Sequence, residues 1–385
     1  MKTVALVVAL VLVGAGCAGD PGPDEGGRAP KSTASTPGSA PPPVPPSAGA
    51  PVPSPTPTKR RVAAPPLVIL ISVDGLNPSA IRRLDRQGRV PAFRKLLREG
   101  SWTLNARTAH EQTNTLPNHT GMLTGRPITG RSGTRVTFNE DRPGNLASLN
   151  GRYVAGVFDP VHDAGLSTAF LAEKDKFNFL IRSWNAAGGA RDVTGKDDGR
   201  NKLDVARIAG PQKLTRVLLR RLRSDPPNLT FLHIGGADGA GHGDKVNGFM
   251  GPRYLDAVVA ADRQIGRILA LVEARPALEQ RTTVVLTADH GGRGTASSPA
   301  QEHRNPTNLD NYRIPFIVWG RGTVPGTDLY AQNRKTRRNP GDARTSYAGT
   351  QPIRNLDAAD LVLSLFRLPA LPGTLPRGLE TLRLR

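Results

Sequence analysis

Three continuous apolar runs in this chain each lead into an aspartate, and that repeated arrangement constrains the fold more than any other feature. LVILISV at 67–73 runs into Asp74-Gly75, LTFLHI at 229–234 leads through a Gly-Gly pair to Asp238, and TTVVLTA at 282–288 runs into Asp289-His290. Runs this short and this apolar, separated by longer amphipathic stretches, predict strands buried on both faces of a sheet. Further strands are predicted over 167–171 and 314–319, with helices near 80–99, 254–273 and 356–366. The alternation specifies an α/β fold whose sheet is mostly parallel with helices on both faces. Residues 327–354 are polar and arginine-rich without a period, which predicts a surface insertion rather than a second domain.

In an open α/β sheet the carboxyl ends of the parallel strands line one crevice, so the three aspartates are expected on one rim. An aspartate directly after a buried strand is costly unless it is paired or holds a metal. Any one of them alone is equally well read as a turn residue capping the next helix. All three, with His242 and His290 close by, point to a metal site. Imidazole nitrogen with carboxylate oxygen suits zinc, with manganese or iron as alternatives, and a catalytic metal seldom takes more than about three protein ligands. Asp74, Asp238, His242, Asp289 and His290 exceed that number, so two divalent metals are expected. His303, in a polar loop before the 314–319 run, reads on its own as a surface histidine.

The string TNTLPNHTGMLTG at 113–125 places Thr115 just before a helix initiated at Pro117, where unpaired backbone N–H groups favour a phosphate-like anion. A threonine hydroxyl is a poor nucleophile unless a metal or base lowers its pKa, and the expected site supplies one. His110 and His119 flank this string and read as helix-surface or supporting residues, while His233, inside a strand run, reads as a core histidine. Lys174 and Lys176 follow the 167–171 strand at the same rim, either as a solvated pair or as substrate contacts.

Taken together, these strings resemble the alkaline phosphatase superfamily, most closely its type I phosphodiesterase/nucleotide pyrophosphatase branch, over about 67–379. The matching pieces are VDGLNP at 73–78, TLPNHTGMLTGR at 115–126, DGAGHG at 238–243, ADHGG at 288–292, His303, and IPFIVWG at 314–320. The resemblance implies an alkaline-phosphatase-like sheet and a two-metal hydrolase of phosphate esters that works through a phosphothreonine. It implies that Asp74, Thr115, Asp289 and His290 hold the metal that activates the nucleophile, that Asp238, His242 and His303 hold the other, and that both are Zn2+. Asn118 is implied to bind a phosphoryl oxygen. Sulfatases of the superfamily need a Cys/Ser-x-Pro-x-Arg string, which Thr115-Leu116-Pro117-Asn118-His119 does not supply. The implied substrates are phosphate esters of nucleotides, phospholipids or sugars. Diesters are expected ahead of monoesters, because the nucleophile string has Asn118 and no arginine before Arg126. A phosphomonoesterase of the same fold and a non-catalytic binder of phosphorylated wall or lipid components are the alternatives.

At the N-terminus, Lys2, the apolar run 4–13 and Gly14-Ala15-Gly16-Cys17 read as an export signal over 1–17, too short to span a bilayer. Cys17 directly after small residues resembles a bacterial lipoprotein signal, which implies a lipidated Cys17 anchoring the protein to the outer face of the cell membrane. Plain secretion is the alternative. Residues 18–66 are rich in Pro, Ala and Ser and read as a disordered tether, leaving 67–385 as the phosphoesterase domain. With a single cysteine, neither an internal disulfide nor a cysteine-based zinc ribbon is available. The 52 Lys+Arg against 32 Asp+Glu give a formal charge of +20, which attracts anionic partners. No basic block is interleaved with aromatics, so nucleic acid is not expected as the main partner.

Overall fold

The computed structural model describes residues 64–192, 199–293, 303–304, 308–375 and 381–385. The expected export signal, Cys17 and the tether up to residue 63 lie outside them. The described strands are β1 (Leu67–Val73), β2 (Ser101–Arg107), β3 (Thr168–Ala172), β4 (Val205–Ile208), β5 (Leu229–Ile234), β6 (Thr282–Thr287), β7 (Arg313–Gly320) and β8 (Thr327–Asp328). They form one sheet in the order β4-β3-β5-β1-β6-β7-β2-β8. Strands β4, β3, β5, β1 and β6 run parallel, and β7 turns antiparallel to both β6 and β2.

The continuous apolar runs become the middle of this sheet. Every residue of β1, β3, β5 and β6 is buried, so both faces are covered, as strands without polar alternation require. β1 lies between β5 and β6, with Ser72 opposite His233 on one side and Thr287 on the other. That register aligns the carboxyl ends of the three strands, and Asp74 and Asp289 leave them side by side.

The helix expected near 80–99 is two helices, α1 (Pro78–Arg86) and α2 (Pro91–Glu99). Gly88 takes a left-handed φ of 70°, and Pro91 has no N–H to continue a ladder, so the periodicity crosses a break. The Asn77 side chain caps α1 by accepting from Ser79 N at 2.8 Å. β2 buries every residue but Trp102 and Asn105, and it carries the polar Ser101, Thr103 and Arg107 among its buried residues, unlike the apolar runs around it.

The surface insertion expected at 327–354 is corrected. This stretch supplies edge strand β8, pairs Arg354 with Arg107 across a parallel bridge, and buries Leu329, Tyr330, Ile353 and Arg354. Arg354 Nη1 donates to Thr108 O at 2.9 Å, and Tyr330 Oη donates to Asn105 O at 3.0 Å. The arginines that made the stretch look solvated therefore brace β2 and the loop after it. Among the described residues, no helix is long and apolar enough to cross a membrane.

Candidate active site

Thr115 is the first residue of α3 (Thr115–Thr124), with Asn114 in extended conformation before it. The residue is 1% exposed, and its hydroxyl makes no hydrogen bond to a described residue. Thr113 is different, because its hydroxyl donates to His303 O. Of the two threonines, Thr115 has the hydroxyl left for chemistry.

Two trios of side chains of the types that ligate metals stand at the carboxyl rim of the sheet. Asp74, Asp289 and His290 form one, and Asp238, His242 and His303 form the other, each with ligand atoms within 4.8 Å of one another. In the first, His290 Nε2 lies 3.4 Å from Asp74 Oδ1 and 3.3 Å from Asp289 Oδ2. In the second, His242 Nε2 lies 3.3 Å from Asp238 Oδ1 and 3.0 Å from His303 Nε2. The trios adjoin, since His290 Nε2 is 3.8 Å from Asp238 Oδ1 and the rings of His290 and His303 stack at 3.9 Å. His303, a surface histidine on its sequence alone, is 1% exposed here.

The orientation of these groups is fixed from behind. His290 Nδ1 donates to Gly291 O at 2.7 Å and His303 Nδ1 donates to Thr113 O at 2.7 Å, so both present an unprotonated Nε2 forward. Asp289 Oδ1 accepts from Gly75 N at 3.0 Å, and Asp74 Oδ2 accepts from His233 Nε2 at 2.8 Å. Asp74 Oδ1, Asp289 Oδ2, Asp238 Oδ1 and His290 Nε2 are buried and have no hydrogen-bond partner. Buried acceptors are rarely left so, and four that converge on one place make a donor set that fits divalent cations.

Charge gives the same answer. Asp74 and Asp238 are paired with the half-buried Lys174, whose Nζ lies 2.6 Å from both Asp74 Oδ2 and Asp238 Oδ2. Burial pushes the Asp289 carboxyl well above its ordinary range, and repulsion from Asp74 adds to it. Burial also opposes ionisation of Asp74, but Lys174 and His233 outweigh it and hold that carboxyl well below its usual value. Burial lowers the pKa of His290 and of His303, which keeps both imidazoles neutral, as metal ligands are. Lys176 adds a more distant positive charge to the same three carboxylates, so two lysines face three aspartates and the rim stays short of positive charge.

His233, expected as a core histidine, is buried and satisfied, and it is also the donor that orients Asp74. His119, fully buried, donates from Nδ1 to Thr115 O and accepts at Nε2 from the Ser72 hydroxyl, both at 2.8 Å. Neither ring belongs to a trio. His110 lies outside both trios as well, half-buried against Tyr347. The 108–118 loop is held by Asn118, which is fully buried: its Nδ2 donates to Gln112 O (2.8 Å) and Asn114 O (3.0 Å), and its Oδ1 accepts from Ala109 N (2.9 Å). Both amide hydrogens are therefore already used within the protein.

The residue that sequence reasoning missed is Asn139. Its Oδ1 accepts from Leu116 N at 2.9 Å, which sets its amide beside the first residues of α3, and its Nδ2 has no partner among the described residues. It lies in a polar string with neither strand nor helix, so no local pattern marked it. A further group, His162, Asp163 and Asp192, has ligand spacing too, but Lys202 Nζ already sits 2.6 Å from both of its aspartates.

The family model for type I phosphodiesterase / nucleotide pyrophosphatase matches residues 68–129 and 161–345. The chain belongs to that family. One stretch of 105 residues is 35% identical to GPI ethanolamine phosphate transferase 1 of Emericella nidulans, covering 27% of this chain and only 10% of that protein. Among solved structures, murine ectonucleotide pyrophosphatase/phosphodiesterase 5, in an inactive form in complex with AMP, is similar over 80% of this chain and 96% of its own at 13% identity and a TM-score of 0.53. A 2-O GAG sulfatase is similar over 84% of this chain and 76% of its own at 12% identity, with a TM-score of 0.54. A protein of the alkaline phosphatase superfamily from Vibrio parahaemolyticus is similar over 80% and 68% at 13% identity, with a TM-score of 0.50. The expected alkaline-phosphatase-like fold is the observed one, and membership of the family places the chain among phosphoryl-transfer hydrolases.

Proposed function

We propose that the protein hydrolyses phosphate esters, diesters first, through a covalent phosphothreonine on Thr115, with one divalent metal, Zn2+, in each trio. The four partnerless buried acceptors beside an unengaged threonine hydroxyl carry this reading. Bound metals would lower the pKa of that hydroxyl and balance the charge that develops on the equatorial and leaving oxygens. Asp74, Asp289 and His290, with Thr115, would hold the first, and Asp238, His242 and His303 the second.

Thr115 Oγ gives up its proton and forms a bond to phosphorus as the ester P–O bond breaks in line, and the departing oxygen takes a proton to leave as the alcohol. Water then attacks the same phosphorus, the threonine P–O bond breaks, and Thr115 regains its hydroxyl. His119 steadies the first turn of α3 through the Thr115 carbonyl. The expected role of Asn118 passes to Asn139, whose amide N–H is free to meet a phosphoryl oxygen, whereas Asn118 would first have to release a buried carbonyl. The AMP in the murine structure favours nucleotide esters among the candidates, and the name of the fungal relative favours lipid-linked phosphodiesters.

A second reading, a phosphomonoesterase, has its own support. Lys174 and Lys176 stand at this rim, and a monoester dianion carries one more charge for them to meet. The deciding measurement compares kcat/KM for a chromogenic diester and the monoester of the same leaving group, before chelation, after it, and after zinc is restored. A higher value for the diester, lost and regained with zinc, supports the first reading. A monoester preference that disappears in Lys174→Ala or Lys176→Ala supports the second, and turnover indifferent to chelation removes both. Export and anchoring through Cys17 belong to the same proposal, and Cys17→Ser is expected to move the protein from the membrane fraction to the soluble one.

A further inference from the structure

At the end of α3 away from Thr115, the chain gathers a second set of cations. A helix of ten residues rises about 15 Å, so this place is well removed from the metal trios. Arg126 follows Gly125, the left-handed residue that closes α3, and is 4% exposed. Its Nη1 donates to Ser132 O at 3.3 Å and its Nη2 to Pro372 O, but its buried Nε has no acceptor. Gly373, at φ 86°, lets the chain pass over the guanidinium, since a Cβ there would lie 2.8 Å from Nη1.

Arg131 and Arg152, both exposed, line the same open cleft of about 610 Å³, together with Tyr153. No carboxylate of a described residue makes an ion pair with any of these three arginines. The acid nearest in sequence to Arg152, Asp159, gives its oxygens to Tyr153 Oη (2.5 Å) and Gly156 N (2.8 Å). Burial, with the charge of Arg152 added, pushes the Arg126 pKa down. A guanidinium kept dry with a free N–H beside two like charges is costly, and an anion would remove that cost.

We propose that this cleft binds a phosphate group, at a site separate from the catalytic centre. The group would come from a free phosphate or small phosphomonoester, or from a lipid headgroup. The cleft is tied to the nucleophile loop, because Ile128 N and Thr129 N, just beyond Arg126, both donate to Glu111 Oε1 at 3.0 Å. An occupant would therefore steady the segment that leads to Thr115.

The test titrates metal-loaded protein calorimetrically with inorganic phosphate, as wild type and as Arg131→Glu/Arg152→Glu. Both changes are at exposed side chains, so folding and turnover of a soluble chromogenic ester stay as in wild type. Wild type is expected to bind one phosphate more per chain than the variant, or to bind it about tenfold more tightly or better. Flotation with phosphatidylcholine vesicles, with and without phosphatidic acid, separates the sources. Retention on the acidic vesicles that is lost in the variant assigns a lipid headgroup, and an extra soluble phosphate without retention assigns the free anion. Equal phosphate stoichiometry and affinity in both proteins, with equal vesicle binding, overturns the proposal. The readout counts bound phosphate rather than turnover, so it stands or falls independently of the catalytic reading.

Discussion

His303 and Thr113 hold each other twice: His303 Nδ1 donates to Thr113 O at 2.7 Å, and the Thr113 hydroxyl donates back to His303 O. A member of one trio is thereby fastened to the backbone two residues before Thr115, so the proposed metal site and the proposed attacking group share a support. His303→Ala is expected to weaken the metal held by Asp238 and His242, and to slow turnover most for poor leaving groups such as alkyl phosphates. Metal content by mass spectrometry and a leaving-group series check this; a full pair of metals with an unchanged series would remove His303 from the site.

Thr115→Ala is expected to abolish turnover by about three orders of magnitude or more, with folding and metal content close to wild type, because the hydroxyl has no structural partner to lose. Acid quenching of wild type during turnover should leave phosphate on Thr115. Label on Thr113 instead would reverse the choice between the two threonines.

Asp289→Ala and Asp238→Ala are each expected to lose about one metal per chain, since they belong to different trios. Equilibrium dialysis followed by metal analysis measures this. Loss of both metals in either variant would mean one shared cluster rather than two sites.

Asn139 and Asn118 should separate cleanly. Asn139→Ala is expected to lower kcat/KM tenfold or more, roughly the loss of one charge-assisted hydrogen bond, with little change in Tm. Asn118→Ala strips acceptor and donor from a buried loop and is expected to cost about 2–3 kcal/mol of stability. Denaturation and kinetics on the same preparations tell the two apart, and the reverse outcome would return substrate binding to Asn118.

Asp159 supplies the pH dependence. Burial raises its carboxyl to about 6, despite hydrogen bonds from Tyr153 and Gly156. Between about pH 4 and pH 6 the folded chain holds a proton that the unfolded chain has released, so stability from this group is full below about pH 4 and is lost as pH rises to about 6. The fall amounts to no more than about 3 kcal/mol. Urea denaturation across this range should show it in wild type and lose it in Asp159→Asn, and parallel profiles in the two proteins would show that Asp159 does not titrate there.

The strand-end aspartates were legible because continuous apolar strands dictate both their own burial and the direction in which they end, and Asp74 and Asp289 are where that logic puts them. His242 followed Asp238 at helical spacing in Gly236–Gly243, which sets both side chains on one face. His303 and Asn139 could not be placed in this way, since they arrive on polar loops whose course is set by contacts with Thr113 and Leu116. The 327–354 stretch misled for a related reason. Arginines count as surface residues in a pattern, yet Arg107 and Arg354 are buried because backbone carbonyls take their N–H groups. Strand β2 was hidden by its polar residues, Ser101, Thr103, Asn105 and Arg107, and the break between α1 and α2 by a periodicity that continues across Gly88.

The central place of β1 also sets the order in which the molecule can be made. Val68 must wait for Leu229, and its other neighbour Thr283 comes later still. A ribosome thus delivers the most apolar strand of the fold long before either of its partners exists, and early docking would pair it wrongly or expose it to aggregation. The chain is best kept extended until β6 has emerged.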